Sequence, residues 1–405
     1  MIQSSLRLCL FNLGLWFCLS YALLALVPPG AVNVFRVLFA AIFLIANFFV
    51  ARRLSWKERG ALRERSWLVF LLCFLSALIL FFLRMSAHPH GMWDAWAAWN
   101  PKAAFFAENF LGGNPFTVQL RLGSQPGYPL ALPMSLGALG SMAGGWSPIL
   151  PQLAHASFFL VHWLLFFCIA RRGVPAQPVW AGLCAALPAL TFQASDQCAD
   201  FPLSLALAGG TYLVTRPWDS ETPILDLWIA GICAGLLPNL KNEGLITGLA
   251  FLAFVFWSAR SQKWPMRWVF VIVVPVLILW ASYFYLRAQS PEAPRFVGDL
   301  AAYLRDPARY IAVIKYDLLL LTVVTLLLPV ALAMRTRSYV ALLPWVGLWA
   351  VYSAFFVITT YPQEWHLATA HFRLHLQFLP AFFVVLLLAP IRGKAAENVK
   401  MRGET

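Results

Sequence analysis

Trp67-Leu-Val-Phe-Leu-Leu-Cys-Phe-Leu-Ser-Ala-Leu-Ile-Leu-Phe-Phe-Leu-Arg84 is an apolar run, and its two flanks decide how the chain is read. A run of this kind matches the roughly 20 residues that cross a bilayer as a helix. Before it, residues 51–66 carry Arg52, Arg53, Lys57, Arg59, Arg63 and Arg65. Basic residues in short loops mark the cytoplasmic side, so the run leads outward. After it comes His88-Pro-His-Gly-Met-Trp-Asp-Ala-Trp-Ala-Ala-Trp-Asn-Pro-Lys-Ala-Ala-Phe-Phe-Ala-Glu-Asn-Phe110, which opens an outer segment, 85–150, unable as a whole to lie in lipid.

The same pattern extends in both directions. Further apolar runs lie at 7–27, 33–50, 148–170, 178–193, 199–215, 225–240, 245–258, 268–286, 313–334, 339–358 and 375–391. Arg171-Arg172, the Arg260–Arg267 stretch, Arg335/Arg337 and the tail with Arg392, Lys394, Lys400 and Arg402 fall on the inner side. The reading is an all-α, polytopic bundle of roughly twelve spans with both ends inside. The first run is taken as a span, with a cleaved signal peptide as the alternative. Residues 128–145, rich in Gly, Pro and Ala, are taken as a helix lying on or dipping into the outer surface. The chain divides into 1–66, two spans and the basic loop; 67–391, the main transmembrane unit with its outer loop 85–150; and 392–405, a cytoplasmic tail.

Composition agrees. Of 405 residues, 61% are hydrophobic and 12% charged, against roughly 25% charged in soluble domains. The net charge of +13 is spread through inter-span loops, which is no nucleic-acid patch. Seven cysteines (9, 18, 73, 168, 184, 198, 233) form no CxxC pair and lie mostly in apolar runs, so neither a disulfide framework nor a cysteine metal site is read.

This topology gathers ionisable residues from separate hairpins at one face: Asp94, Lys102, Asp196, Asp200, Lys241, Glu243, Glu364, His366, His371 and Arg373. Such residues at span ends are costly unless they line a polar cavity or reach headgroups. Read as one helix, His90, Asp94, Ala98 and Lys102 fall on one face, with Trp93, Trp96 and Trp99 around the acid. Asp94 is a candidate general base for an acceptor hydroxyl; the plainer reading is a structural acid paired with Lys102 or His90, inside an interfacial tryptophan belt. Asp196 and Asp200, four apart, share a face if their corner is helical, and supply a second carboxylate. Asp200 could equally cap the next span. Lys241 and Arg373 are candidate phosphate ligands, Arg being suited to bidentate contact. His371 and Lys102 join that set, and Tyr128, Glu243, Glu364 and His366 join the tryptophans as substrate contacts. Lys241 with Glu243 could instead be a neutralised pair. His366, His371 and His375 raise a zinc reading, and His371 and His375 stand at i, i+4, but no HExxH and no acid on their face completes a metal motif, so a divalent metal stays a minor alternative and no metal ligand is assigned.

In order along the chain stand Asp94 in the first large outer loop, Tyr128-Pro-Leu in its second half, and Ala199-Asp-Phe-Pro-Leu203 opening a span. Then come Gly231, Gly235 and Lys241-Asn-Glu-Gly244, and finally Arg373 and Pro380 at the last span. In this series the chain from about residue 67 resembles the GT-C class of membrane glycosyltransferases, in particular the group around the protein O-mannosyltransferases and the lipid A aminoarabinose transferase. The resemblance implies a polyprenyl-phosphate-linked sugar as donor, a glycan, lipid or protein acceptor, and an acid of the first outer loop acting on that acceptor. Carried over, that acid is Asp94, although many members have an acidic pair and Ala95 follows here. The expected activity is an inverting sugar transfer at the outer face of a bacterial-type cytoplasmic membrane. A multi-span transporter, an O-antigen ligase or polymerase, and a non-catalytic assembly partner are the rival readings.

Overall fold

The computed structural model describes residues 2–26, 65–108, 127–171, 177–215, 223–288, 300–320 and 343–388, with isolated residues between 34 and 46. The expected second span, the basic loop 51–66, the inner turn 216–224, parts of the outer segments and of the runs at 313–334 and 339–358, and the tail 392–405 lie wholly or partly outside the described residues.

The described chain is helical. It begins with α1 (Ile2–Leu26) and α2 (Arg65–Ala87). A π-helical turn at Ala95–Trp99 leads into α3 (Asn100–Glu108), followed by α4 (Ala131–Ala143) and α5 (Ile149–Ala170). Next are α6 (Gln177–Ala185), α7 (Pro188–Ser195), α8 (Asp200–Thr215), α9 (Pro223–Leu240), α10 (Gly244–Ser261) and α11 (Met266–Ala288). After α12 (Leu300–Arg305), α13 (Pro307–Leu320) and α14 (Leu343–Ile358), the last segment is broken. It comprises α15 (Gln363–His366), a π turn at Leu367–His371, α16 (Phe372–Leu376) and α17 (Leu379–Leu388).

Five stretches are long and apolar enough to cross a membrane: Ser66–Ala87, Ile149–Ala170, Gly244–Ser261, Met266–Tyr285 and the run Gln363–Leu388. Ala131–Ala143, Ile224–Leu240 and Leu343–Ile358 are shorter apolar helices. Helix α2 leaves Leu68, Leu72, Leu75, Ile79 and Leu83 exposed, and α11 does the same with Phe270, Val274, Leu277 and Ile278. Apolar stripes of this extent are stable against lipid, not water. The chain is therefore a helical membrane protein.

Helix α8 lies at the centre, with every residue from Asp200 to Thr215 buried. It is apolar all round, as a helix enclosed on every side must be, and α9, α17, α10 and α5 pack around it. Helix α9 in turn lies close along α11. A Cβ at Gly231 would come within 2.5 Å of the Ile272 carbonyl, and one at Gly235 within 2.7 Å of the Leu279 side chain. Small residues at these positions permit the near approach of the two backbones.

Two expectations are corrected. Residues 178–193 are not one continuous helix but the short helices α6 and α7. Pro188 lacks an N–H for the helical ladder and pushes Leu187 to an extended backbone (φ −51°, ψ 122°). Helix α4 is not a surface helix, because ten of its residues, from Ala131 to Ser141, are buried. It is clasped between α3 and α1. A side chain at Gly137 would run into Phe106, and a Cβ at Gly140 would lie 2.7 Å from that of Ala107. Its Gly and Ala content reflects close helix packing.

Candidate functional site

The N-terminal end of α8 and the C-terminal end of α9 meet, and their charged residues meet with them. Lys241, in the turn after α9, places Nζ 2.9 Å from Asp200 Oδ1 and 3.6 Å from Glu243 Oε1. Asp200 Oδ1 also accepts a hydrogen bond from Gln377 Nε2 at 2.6 Å. Gln377 is held by Tyr352, whose hydroxyl donates to Gln377 Oε1 at 3.1 Å. On the far side of Asp200, Arg373 Nε stands 3.6 Å from Oδ2, and the same guanidinium is paired through Nη1 with Asp94 Oδ2. The result is an alternating chain, Asp94–Arg373–Asp200–Lys241–Glu243. Asp200 and Lys241 are almost fully buried, whereas Arg373 and Glu243 are each 29% exposed.

Arg373 Nε and Asp200 Oδ2 are buried atoms without a hydrogen bond among the described residues. A separation of 3.6 Å is too long for a hydrogen bond, so the Arg373–Asp200 contact is electrostatic and leaves donor and acceptor capacity unfilled. Lys241 answers to two opposing effects. Burial alone would lower its pKa, but Asp200 and then Glu243 more than offset this, and its ammonium is held above the ordinary lysine range.

Asp94 reaches this network through a tight approach at the start of its segment. Gly91 adopts φ +75°, and a Cβ there would lie 2.6 Å from the Asp196 carbonyl. Met92 N donates to that carbonyl at 3.1 Å. Gln197 and Asn100 add to the seam: Gln197 Nε2 donates to Pro89 O at 3.1 Å and Asn100 Nδ2 to Gln197 Oε1 at 3.3 Å. The segment is not the continuous helix expected from His90 to Lys102. His90 lies in a turn, and the π turn at Ala95–Trp99 adds a residue per turn, which moves Lys102 off the face of Asp94. The ion pair of Asp94 is thus with Arg373, not with Lys102 or His90.

Lys102 is buried, with Nζ 5.8 Å from the Tyr128 ring centre. Burial lowers its pKa to about 8. Tyr128 stacks on Trp99 at 5.2 Å and lies within the electrostatic reach of Lys241, Asp94, Glu243 and Arg373. The three tryptophans do not form one wall. Trp99 is fully buried, while Trp93 and Trp96 are 56% and 54% exposed and meet edge to face.

Asp196 and Asp200 do not share a helical face. Gln197, with φ 58°, breaks the corner between α7 and α8. Asp196 instead accepts from Arg84 Nε at 3.0 Å. Burial raises its carboxyl pKa, and Arg84 pulls back only part of that rise. The remaining candidates stand apart from the network. Glu364 is exposed. His366 Nδ1 is 2.8 Å from Thr359 Oγ1, and His371 Nε2 is 2.8 Å from Asp317 Oδ1.

Sequence reasoning missed Arg84, Gln377 and Asp317. Arg84 is the cation that closes the run 67–84. Gln377 lies four residues after Arg373, on the same helical face. Asp317 is a lone acid opening a leucine run, and an ionisable residue in such a run is a site candidate by default. Compared with known proteins, the chain has no match to a family model, to a curated protein or to a solved structure.

Proposed function

We propose that the protein is an integral-membrane glycosyltransferase with a GT-C-like bundle of roughly twelve spans. It moves a sugar from a polyprenyl-phosphate-linked donor to an acceptor hydroxyl at the outer face of a bacterial-type cytoplasmic membrane. The observation that carries this reading is the state of Arg373: one nitrogen holds Asp94, while Nε stands 3.6 Å from Asp200 without a hydrogen bond. A guanidinium so divided between two carboxylates has donor capacity for an incoming oxyanion, and Arg is suited to phosphate.

The donor phosphate takes the place of Asp94 on Arg373 and also meets Lys241, with its isoprenoid in lipid. Its sugar lies against the exposed faces of Trp93 and Trp96. Displaced from Arg373, Asp94 becomes available to the acceptor. The acceptor oxygen forms a bond to the anomeric carbon as the bond from that carbon to the phosphate oxygen breaks. Asp94 takes the hydroxyl proton, and the polyprenyl phosphate leaves with its added negative charge met by the two cations. Direct displacement inverts the anomeric centre. Donor binding and release of the base are then one event, which restrains the carboxylate until a donor is present.

The competing reading is that the network only stitches helices together. The test is Asp94→Asn, which keeps the shape and removes the proton acceptor. Transfer from a polyprenyl-phosphate sugar should fall by about 10²–10⁴-fold, with donor binding retained and the melting temperature little changed. Near-normal transfer by the folded variant would reject Asp94 as the base. A large loss of melting temperature with transfer per folded molecule intact would favour the stitching role.

A further inference from the structure

We propose that Asp317, His371 and His375 bind a divalent transition-metal ion, with zinc as the best fit to the donors. One ligand atom from each lies within 4.8 Å of the other two. Asp317 Oδ1 is 2.8 Å from His371 Nε2 and 3.9 Å from His375 Nε2. Donors at ~2.0–2.1 Å from a tetrahedral zinc stand about 3.4 Å from one another, between the two observed separations. An ion entering here draws His375 inward and replaces the Asp317–His371 contact.

The second observation is the condition of His375. Its side chain is 2% exposed, and its Nε2, beside the Trp349 ring and facing Asp317, has no hydrogen bond among the described residues. Its other nitrogen is occupied: Nδ1 is 2.8 Å from the His371 carbonyl. A carbonyl can only accept, so Nδ1 carries the proton and Nε2 presents a lone pair. That is the tautomer a metal-bound histidine needs, fixed by the outer contact that such ligands characteristically make. The carboxylate is oriented in the same way. Asp317 Oδ1 accepts from Ser353 Oγ at 3.0 Å and from Trp349 Nε1 at 3.2 Å. A buried imidazole nitrogen without a hydrogen bond is costly, and a metal ion removes that cost. Two imidazoles and a carboxylate are also a known catalytic-type zinc set, with a further position open to water.

The site lies behind the charge network. Residues 371, 373 and 375 alternate around the segment that runs from the π turn into α16, because successive steps of two turn a helix by about 200°. Arg373 points to Asp94 and Asp200, while His371 and His375 point to Asp317. An ion there ties α13 to the segment that presents Arg373, across 54 positions of sequence. The proposal is independent of the reaction assigned above.

The test is metal analysis of the purified full chain, isolated through a tag without histidine. After chelation, titration with Zn²⁺ alone should restore about one ion per chain and raise the melting temperature, with Mg²⁺ as the inactive control. Asp317→Asn and His375→Gln should each weaken zinc binding by more than about tenfold. The double variant His88→Ala/His90→Ala, which alters the exposed histidines, should leave it unchanged. Uptake of no first-row metal by folded wild-type protein, with no shift in melting temperature, overturns the proposal. So does loss of the ion in the His88/His90 variant, or wild-type affinity in folded Asp317→Asn. The wild-type titration decides the matter even where the buried variants do not fold, and none of these readouts depends on sugar transfer.

Discussion

Helix α9 has a buried ion pair at each end, and the two are alike in distance and burial. At the N-terminal end, Arg7 Nε is 2.8 Å from Asp226 Oδ1, with side chains 7% and 2% exposed. At the C-terminal end, Lys241 Nζ is 2.9 Å from Asp200 Oδ1, with side chains 3% and 0% exposed. The first pair joins α1 to α9. The second belongs to a chain that draws in the Asp94 turn, α8, the α9–α10 turn and α16, with two of its members partly open to a ligand. Distance and burial therefore do not distinguish a stitch from a site. Partial exposure of the chain's members, with Arg373 and Glu243 each 29% open, does.

Paired replacements give the largest expected effect. Replacing a buried ion pair by apolar residues of similar size is often neutral or stabilising by about 1–4 kcal/mol, because no lone charge is left behind. Arg7→Met with Asp226→Leu should fold and leave sugar transfer unchanged. Asp200→Leu with Lys241→Met also takes the cation from Glu243 and the acceptor from Gln377, so it should lower the melting temperature, and turnover per folded molecule should fall by about 10²–10³-fold or more, since the cation that the proposal sets against the leaving phosphate has gone. Initial rates and melting curves on both doubles check this. Equal loss of turnover in the two would erase the distinction between the ends of α9.

A smaller effect concerns Lys102, the buried cation outside the alternating chain. Its folded pKa, about 8, is below the ordinary value of 10.5. Between these values the unfolded chain holds more protons than the folded one, so stability rises with pH there and is lost as pH falls toward 8. Melting temperature should increase from about pH 8 to pH 10 in wild type, and Lys102→Met should flatten that part of the profile. A profile that Lys102→Met leaves unaltered would remove burial of this charge as its cause.

The smallest expected effect is at Glu364, which is exposed and outside the network. Glu364→Gln should alter stability by no more than about 0.5 kcal/mol and leave transfer and donor binding as they are. A clear loss of donor affinity would extend the site to α15 and redraw its boundary.

Much of the membrane architecture was legible in the order of residues. Apolar runs such as 67–84 and 268–286 became α2 and α11, because transfer of each side chain into lipid is decided by its own chemistry. The breaks were less legible. Pro188 divides a run that hydropathy alone presents as continuous, and α4 is buried by close packing of small residues that composition assigns to a surface. Of the site, Asp94, Asp200, Lys241, Glu243 and Arg373 were identified as charges that apolar runs deliver to one face, and they do meet. Their pairing was not legible. Asp200 finds Lys241 at a separation of 41 residues and Gln377 at 177, while His371 finds Asp317 at 54.

The sequence by itself determined that the chain is helical and apolar, and which charges must be sheltered from lipid. Only the tertiary structure decided which charge neutralises which. Hydropathy is a property of each residue, but a buried charge is stabilised by its nearest opposite. Around α8 that neighbour is selected by the packing of helices distant in the chain.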